Sequence, residues 1–318
     1  MTKPVNKPKI IFFGSRNSKL SDEMFFALAD TDCEIVAVVN SPEGALNSTS
    51  GKKSGDGYTD MAAKMGLPDF TPEKPNSPEF VEILRAIPCD AFILAGYAML
   101  VKEGLLSLPR LGLAINFHAS LLPDYKGKHP VFWAIRHGEK RSGITAHHLS
   151  SKLDEGAIAF QEAVEIGPDD SASAVYDKVI EKSRLVMREL IDSINRNSVP
   201  VKSQKNGGSY YSSVKEEDYI LDFSLGAKRN KWAVQATPGK CYIQTPHGRL
   251  FAHDAQLVSA DRTDRNMEDG VIIAMDDESV TVASGGEAVR FGKLSAGGEP
   301  KPAGALLQSL GYKISDII

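Results

Sequence analysis

Short, wholly apolar runs alternate with amphipathic stretches over the first two-thirds of the chain. Residues 9–14 place Ile10, Ile11, Phe12 and Phe13 in succession before Gly14, the mark of a strand buried on both faces that feeds a loop. Behind it Met24, Phe25, Leu28 and Ala29 recur at helical spacing, predicting a helix over 21–29 with Ser21 as its cap. The pair then repeats. Further strands are expected at 34–39, 91–94 and 113–117, and further helices at 60–64, 79–86, 131–137 and 172–195. Strands alternating with helices predict an α/β fold with a doubly wound, mainly parallel sheet. Ligands in such sheets collect at the carboxyl ends of the strands, which here carry Gly14, Gly96 and the segment from Asn116 to His118.

The pattern changes near residue 200. Residues 202–213 are polar and glycine-bearing and read as a linker. Closely spaced strand-like runs follow at 240–245, 249–252, 270–274, 279–283 and 288–294, broken by turns such as Pro246-His247-Gly248 and Gly285-Gly286, which predicts a small antiparallel barrel. A chain of 318 residues exceeds one ordinary core, so the expected division is an α/β domain over 1–200, a linker over 201–213 and a small β domain over 214–318. Residues 40–57 are too long for a routine connection and carry Lys52 and Lys53; they read either as a flap over a ligand or as a plain surface excursion.

Composition narrows the function classes. A content of 42% hydrophobic and 25% charged residues is that of a globular enzyme-sized chain. The net charge of -4 exerts no overall pull towards nucleic acid or an anionic membrane. Cys33, Cys89 and Cys241 are odd in number and lack CxxC spacing, fitting neither a disulfide framework nor a zinc site. The polar, proline-bearing start and the short apolar run after it match no signal or membrane segment, so a cytoplasmic protein is expected.

The candidate chemistry begins at a strand end. Alternate side chains of a strand share a face, so Asn116 and His118 project together while Phe117 turns away. An amide N–H and an imidazole aimed at one carbonyl oxygen suit the oxyanion of a tetrahedral intermediate. Asp154, two residues before Gly156 in a turn-forming segment, is the carboxylate that a loop would return to this strand end. His147 and His148 are adjacent, point to opposite faces of a strand and lack a full ligand set, so no metal is expected. The segment from Gly14 to Ser18 follows the first strand without a dinucleotide or Walker pattern; with Ser15 and Arg16 at a helix N-terminus it reads either as a cradle for an anion or as a plain turn.

These pieces occur in a recognisable order. Asn116-Phe117-His118 runs on to Ser120-Leu121-Leu122-Pro123; Tyr125-Lys126-Gly127, then Gly143-Ile144-Thr145-Ala146-His147, then Leu153-Asp154-Glu155-Gly156-Ala157-Ile158 follow. Over residues 9–189 the chain closely resembles the folate-dependent formyltransferases, a family that includes methionyl-tRNA, amino-sugar and glycinamide ribonucleotide formyltransferases. The resemblance implies transfer of a formyl group from 10-formyltetrahydrofolate to an amine. It implies that the α/β domain is a Rossmann-like catalytic domain. It also implies that Asn116 and His118 bind the formyl oxygen, that Asp154 orients the imidazole and helps remove the amine's proton, that the pterin lies among Gly96, Tyr97, Met99, Leu100 and Leu153, and that the loop carrying Ser15 and Arg16 faces the acceptor. The tail resembles, more loosely, the family's appended open barrel, an OB-like domain, through residues 217–223, Pro238-Gly239 and residues 306–311.

The acceptor is less legible. Residues 201–318 hold fourteen Lys and Arg against fifteen Asp and Glu, a balance unlike that of a tRNA-gripping domain. Lys228, Arg229, Lys231 and Lys240 are the residues available for a basic patch. The tRNA enzymes show Gly-Ala-Ala-Pro where this chain has Gly127-Lys128-His129-Pro130, and Trp-Pro-Gly-Ala where it has Thr237-Pro238-Gly239-Lys240. Lys126, Lys128 and His129 are either charge for a phosphorylated acceptor or solvated loop residues. The expected acceptor is a small amine, most readily a nucleotide-linked amino sugar; the alternatives are methionyl-tRNA, water in a hydrolase, and no acceptor at all in a non-catalytic folate-binding module.

Overall fold

The computed structural model describes residues 7–44, 57–259 and 267–318. Most of the 40–57 excursion, with Lys52 and Lys53, lies outside the described residues. Along the chain run β1 (Lys9–Gly14), α1 (Lys19–Ala29), β2 (Glu34–Asn40), α2 (Tyr58–Lys64), β3 (Asp69–Phe70), α3 (Pro78–Arg85) and β4 (Ala91–Ala95). Then come α4 (Glu103–Leu106), β5 (Leu113–His118), β6 (Lys126–Gly127), α5 (Pro130–Arg136), β7 (Arg141–His148), β8 (Ile158–Glu165) and α6 (Ala172–Asn195).

Seven of these strands form one sheet in the order β3-β2-β1-β4-β5-β7-β8. The first five are mutually parallel, and β7 runs antiparallel to β5. The apolar runs are buried because both faces are covered. Ile11 and Phe13 pack with Phe80 and Leu84 of α3 on one side, while Phe12 meets Phe25 of α1 and Tyr58 of α2 edge-on on the other. The strand order turns back on itself at β1 and β4, the place where open α/β sheets bind ligands. A doubly wound, mainly parallel sheet is thus what the chain forms.

Several local expectations need correction. Helix α1 is capped by Ser18, whose side chain accepts from Ser21 N, and not by Ser21. Ser21 is buried and donates instead to Ala95 O at 2.8 Å. Strand β3 is two residues long and β7 is buried almost throughout, so neither carries an alternating signature. The strand expected over 288–294 breaks at Gly292, whose N–H donates to Asp254 Oδ1 at 2.6 Å.

The chain sorts into two compact units. The first comprises Met1–Gly127, Ser142–Val164 and Tyr176–Tyr210; the second comprises Lys128–Arg141, Glu165–Val175 and Tyr211–Ile318. After β9 (Tyr210–Tyr211), the second unit contains α7 (Ala227–Ala236), β10 (Tyr242–Thr245), β11 (Gly248–Ala252), β12 (Gln256–Val258), β13 (Ile272–Met275), β14 (Val280–Ser284), β15 (Glu287–Phe291), β16 (Lys293–Ser295), β17 (Lys301–Pro302) and α8 (Ala303–Ser309). These strands make two four-stranded sheets, β10-β11-β16-β17 and β12-β15-β14-β13, with antiparallel pairing throughout. Ile243, Leu250, Val280, Val289, Phe291 and Leu294 share one core. Within the same unit Trp133 of α5 stacks on Tyr211, with ring centroids 5.1 Å apart.

Candidate active site

The site is built by the antiparallel pairing of β5 with β7. Asn116 stands opposite His147, and His118 opposite Thr145. Directly opposed residues of such a pair share a face, so four polar side chains project together while Phe117, buried, points the other way. Asn116 Nδ2 lies 3.1 Å from His147 Nε2. His147 Nδ1 lies 3.0 Å from the carbonyl of His148, a group that can only accept, so Nδ1 carries the proton and neutral Nε2 accepts from Asn116. His118 obeys the same logic. Its Nε2 is 2.8 Å from the carbonyl of Tyr125 and must donate there, which leaves Nδ1 as the nitrogen available for chemistry.

Asp154 faces that nitrogen. Its Oδ2 is 3.7 Å from His118 Nδ1 and its Oδ1 is 3.5 Å from His147 Nε2. At 3.7 Å the pair is close enough to interact electrostatically and too far apart for a direct hydrogen bond. The carboxylate is positioned by its loop: Asp154 adopts a left-handed φ of 54°, and Oδ2 accepts from Gly127 N at 2.8 Å. The turn closes tightly enough that a Cβ on Gly156 would fall 1.6 Å from the carbonyl oxygen of His148, so that position admits only glycine. Burial opposes ionisation of Asp154, but His118, His147 and the Gly127 N–H outweigh it and hold the carboxyl at about 2. Burial likewise dominates at His118 and lowers its pKa, against the raising influence of Asp154 and the Tyr125 carbonyl. At neutral pH the site therefore holds a carboxylate beside a neutral imidazole.

A second layer fixes the segment after His118. Thr145 Oγ1 donates to Ser120 O at 2.7 Å and accepts from Leu122 N at 3.2 Å, while Gln161 Nε2 donates to Thr145 Oγ1 and to Leu122 O. The peptide bond between Leu122 and Pro123 is cis. The Ser-Leu-Leu-Pro and Gly-Ile-Thr-Ala-His segments thus bond to each other. A Cβ on Gly143 would meet the carbonyl oxygen of Glu162 at 2.2 Å.

The other candidate residues are distributed unevenly. Gly96 adopts a φ of +66°, and a Cβ there would meet Ser18 Oγ at 2.7 Å. Tyr97 packs edge-on to Phe13, and its hydroxyl is buried without a partner among the described residues. Met99 is half-buried, whereas Leu100 and Leu153 present 61% and 46% of their surface to solvent, conspicuous for leucines. Ser15 is buried, and its hydroxyl is engaged with Gly96 O at 2.6 Å and Ser41 Oγ at 2.9 Å. Arg16 is exposed and lies 3.4 Å from Asp69 Oδ2. Lys126 pairs with Glu155 at 3.5 Å. Tyr125 and Gly127, which belong to the recognised sequence pattern, contribute main-chain contacts to the site, and Gln204 contributes amide contacts that no residue-type pattern foretells. Among the described residues no group of three His, Cys, Asp or Glu side chains is arranged to hold a metal ion, and no helix is long and apolar enough to cross a membrane.

Comparison with known proteins bears on the same residues. The model of the formyl transferase family matches residues 8–191, more than half of the chain. The chain is 29% identical over 304 residues to a methionyl-tRNA formyltransferase of Thermotoga neapolitana, covering 92% of each chain. It is 30% identical over 309 residues to a methionyl-tRNA formyltransferase of Staphylococcus aureus, covering 92% of this chain and 93% of the relative. The N-formyltransferase of Helicobacter canadensis, solved with folinic acid and dTDP-3-aminofucose, superposes with a TM-score of 0.65 at 15% identity, over 90% of this chain and 99% of its own. A family match that spans β1 to α6 and contains Asn116, His118 and Asp154 establishes that this chain is a member of the formyl transferase family, a group-transfer enzyme that works with a folate.

Proposed function

We propose that this chain transfers the formyl group of 10-formyltetrahydrofolate to the primary amine of a small acceptor, a nucleotide-linked amino sugar or a comparable phosphorylated amine. The observation that carries the chemistry is a buried carboxylate 3.7 Å from the free nitrogen of an imidazole that stands two residues from a carboxamide on one strand face. In this reading the amine nitrogen attacks the formyl carbon and His118 Nδ1, backed by Asp154, takes the amine's proton. The imidazolium so formed and the Asn116 N–H face the developing oxyanion. Collapse breaks the bond to the folate nitrogen, which leaves with a proton returned from His118. Exposed Leu100 and Leu153, with Met99, Tyr97 and Gly96, supply an apolar surface for the pterin, and Arg16 and Lys126 are the cations proposed to receive acceptor phosphate.

Charge supports the small acceptor. On α7, Lys228 is paired with Glu287 at 2.9 Å, and Lys231 is buried, with Nζ directed to Pro168 O and Gln235 Oε1. Two of the four residues named for a tail patch are thereby engaged by neighbouring groups. Incubation with 10-formyltetrahydrofolate and a panel of amino-sugar nucleotides should release tetrahydrofolate with at least one of them. Turnover with charged initiator tRNA alone would overturn the acceptor, and formate released with no acceptor present would point to hydrolysis.

A second reading is motivated by the sequence relatives, which are methionyl-tRNA formyltransferases along nearly their whole length. It requires binding of tRNA that weakens steeply as salt rises. No shift of tRNA at low salt removes it.

A further inference from the structure

We propose that Gln204 and Ser209, which lie beyond the residues matched by the family model, are positioning residues that set the geometry of His118 and Asp154; this rests on the catalytic reading above. Residues 200–209 are bound along the rim of the site. Pro200 O receives His148 Nε2 at 2.9 Å, and Lys202 exchanges backbone hydrogen bonds with Ile158 at 2.7 and 3.0 Å. Gln204 Nε2 then donates to two carbonyls at once, Asp154 O at 2.7 Å and Gly156 O at 2.8 Å. Those two carbonyls flank the turn that holds Asp154 at positive φ, a conformation that a non-glycine residue keeps only when its surroundings enforce it. Gln204 Oε1, in contrast, is buried with no partner among the described residues, so the side chain serves through its donors.

Five residues further on, Ser209 grips the other partner. Ser209 Oγ accepts from Tyr125 N at 2.9 Å and Ser209 O accepts from Lys126 N at 2.8 Å. Tyr125, itself at a φ of 58°, carries the carbonyl that fixes His118 Nε2 and so directs Nδ1 at Asp154. Between the two contacts the segment lies so close to Pro123 that a Cβ on Gly208 would fall 2.1 Å from its carbonyl oxygen. One short segment therefore holds the backbone on both sides of a 3.7 Å gap, and a displacement of about an ångström there is enough to cost catalysis on the order of a hundredfold.

The test compares full-length Gln204→Met, Ser209→Ala, Ser209→Thr and His118→Ala proteins by kcat, KM, the pH dependence of kcat and the NMR titration of His118. Gln204→Met and Ser209→Ala are expected to lower kcat about tenfold or more with KM for each substrate within about twofold, and to move the titration of His118. Ser209→Thr retains the accepting hydroxyl and should keep most of the activity. Wild-type kcat, pH profile and titration in folded Gln204→Met and Ser209→Ala overturn the inference, as does loss of activity through KM alone. If Gln204→Met does not fold, the alanine and threonine variants at Ser209 decide the matter between them. Failure of the catalytic reading is seen separately: His118→Ala would then stay active, while the titration of His118 in the other variants still reports whether the segment sets its geometry.

Discussion

At the scale of single residues, the site depends on the charge of Asp154 and on what that charge does to His118. The two groups are buried and act on each other in opposite directions: the carboxylate favours the imidazolium, and burial disfavours it more. Asp154→Asn keeps the volume and removes the charge. The His118 titration, already below its ordinary value, is expected to fall further, read from its ring-proton shifts. A midpoint that stays put or rises would mean that the carboxylate does not govern the ring. The same change should lower kcat by about a hundredfold or more, because an orienting carboxylate and its charge are both lost at the moment the imidazole becomes cationic.

At the scale of elements, β5 and β7 matter more than their length suggests, because Thr145 ties the loop after His118 to the neighbouring strand. Thr145→Val keeps the shape but leaves Ser120 O and Leu122 N without that partner in a fully buried place. A loss of roughly 2–4 kcal/mol in unfolding free energy is expected, seen as a lower denaturant midpoint; a loss below about 0.5 kcal/mol would show that the loop finds other partners. This tie also marks how far the sequence could be read. The strand ends, the face shared by Asn116 and His118, and the return of Asp154 followed from apolar runs, from the twofold alternation of strands and from a turn-forming segment. The pairing that makes the site did not, although His147 and His148 read as strand residues. β7 is buried along nearly its whole length and so lacks alternation, and its role is set by pairing with a strand some thirty residues away in sequence. The cap of α1 lies three residues before the serine the sequence suggests, because Ser18 and Ser21 are chemically alike and only their partners, Ser21 N for Ser18 and Ala95 O for Ser21, tell them apart. Ser15 reads in sequence either as a ligand contact or as part of a plain turn, and its hydroxyl is engaged by Gly96 and Ser41. Gln204 and Ser209 act through main-chain partners, and such contacts leave no residue-type pattern to find.

At the scale of the whole molecule, the ionisable groups of the site make stability depend on pH with a definite sign. His118 has a lowered pKa when folded, so below about 6.5 the unfolded chain takes up a proton that the folded one refuses, and stability declines until the folded value is reached. His129 and His137 in the second unit, also lowered chiefly by burial, act in the same sense. Asp154 works lower down: its contribution is complete above the ordinary 3.8 and is lost as pH falls through about 2, an amount on the order of 2 kcal/mol. Unfolding free energy measured by denaturant should therefore be flat above pH 7 as far as these groups are concerned, and should decline from pH 6.5 downwards before the carboxylates titrate. His118→Asn cannot take up that proton in either state, so the decline between pH 6.5 and 5 should be shallower in the variant than in the wild type. An equal slope in both proteins would mean that His118 is no harder to protonate in the folded chain than in the unfolded one. In that case burial would not outweigh Asp154 at this ring, and the lowered titration of His118 on which the balance between the two groups is argued would have to be given up.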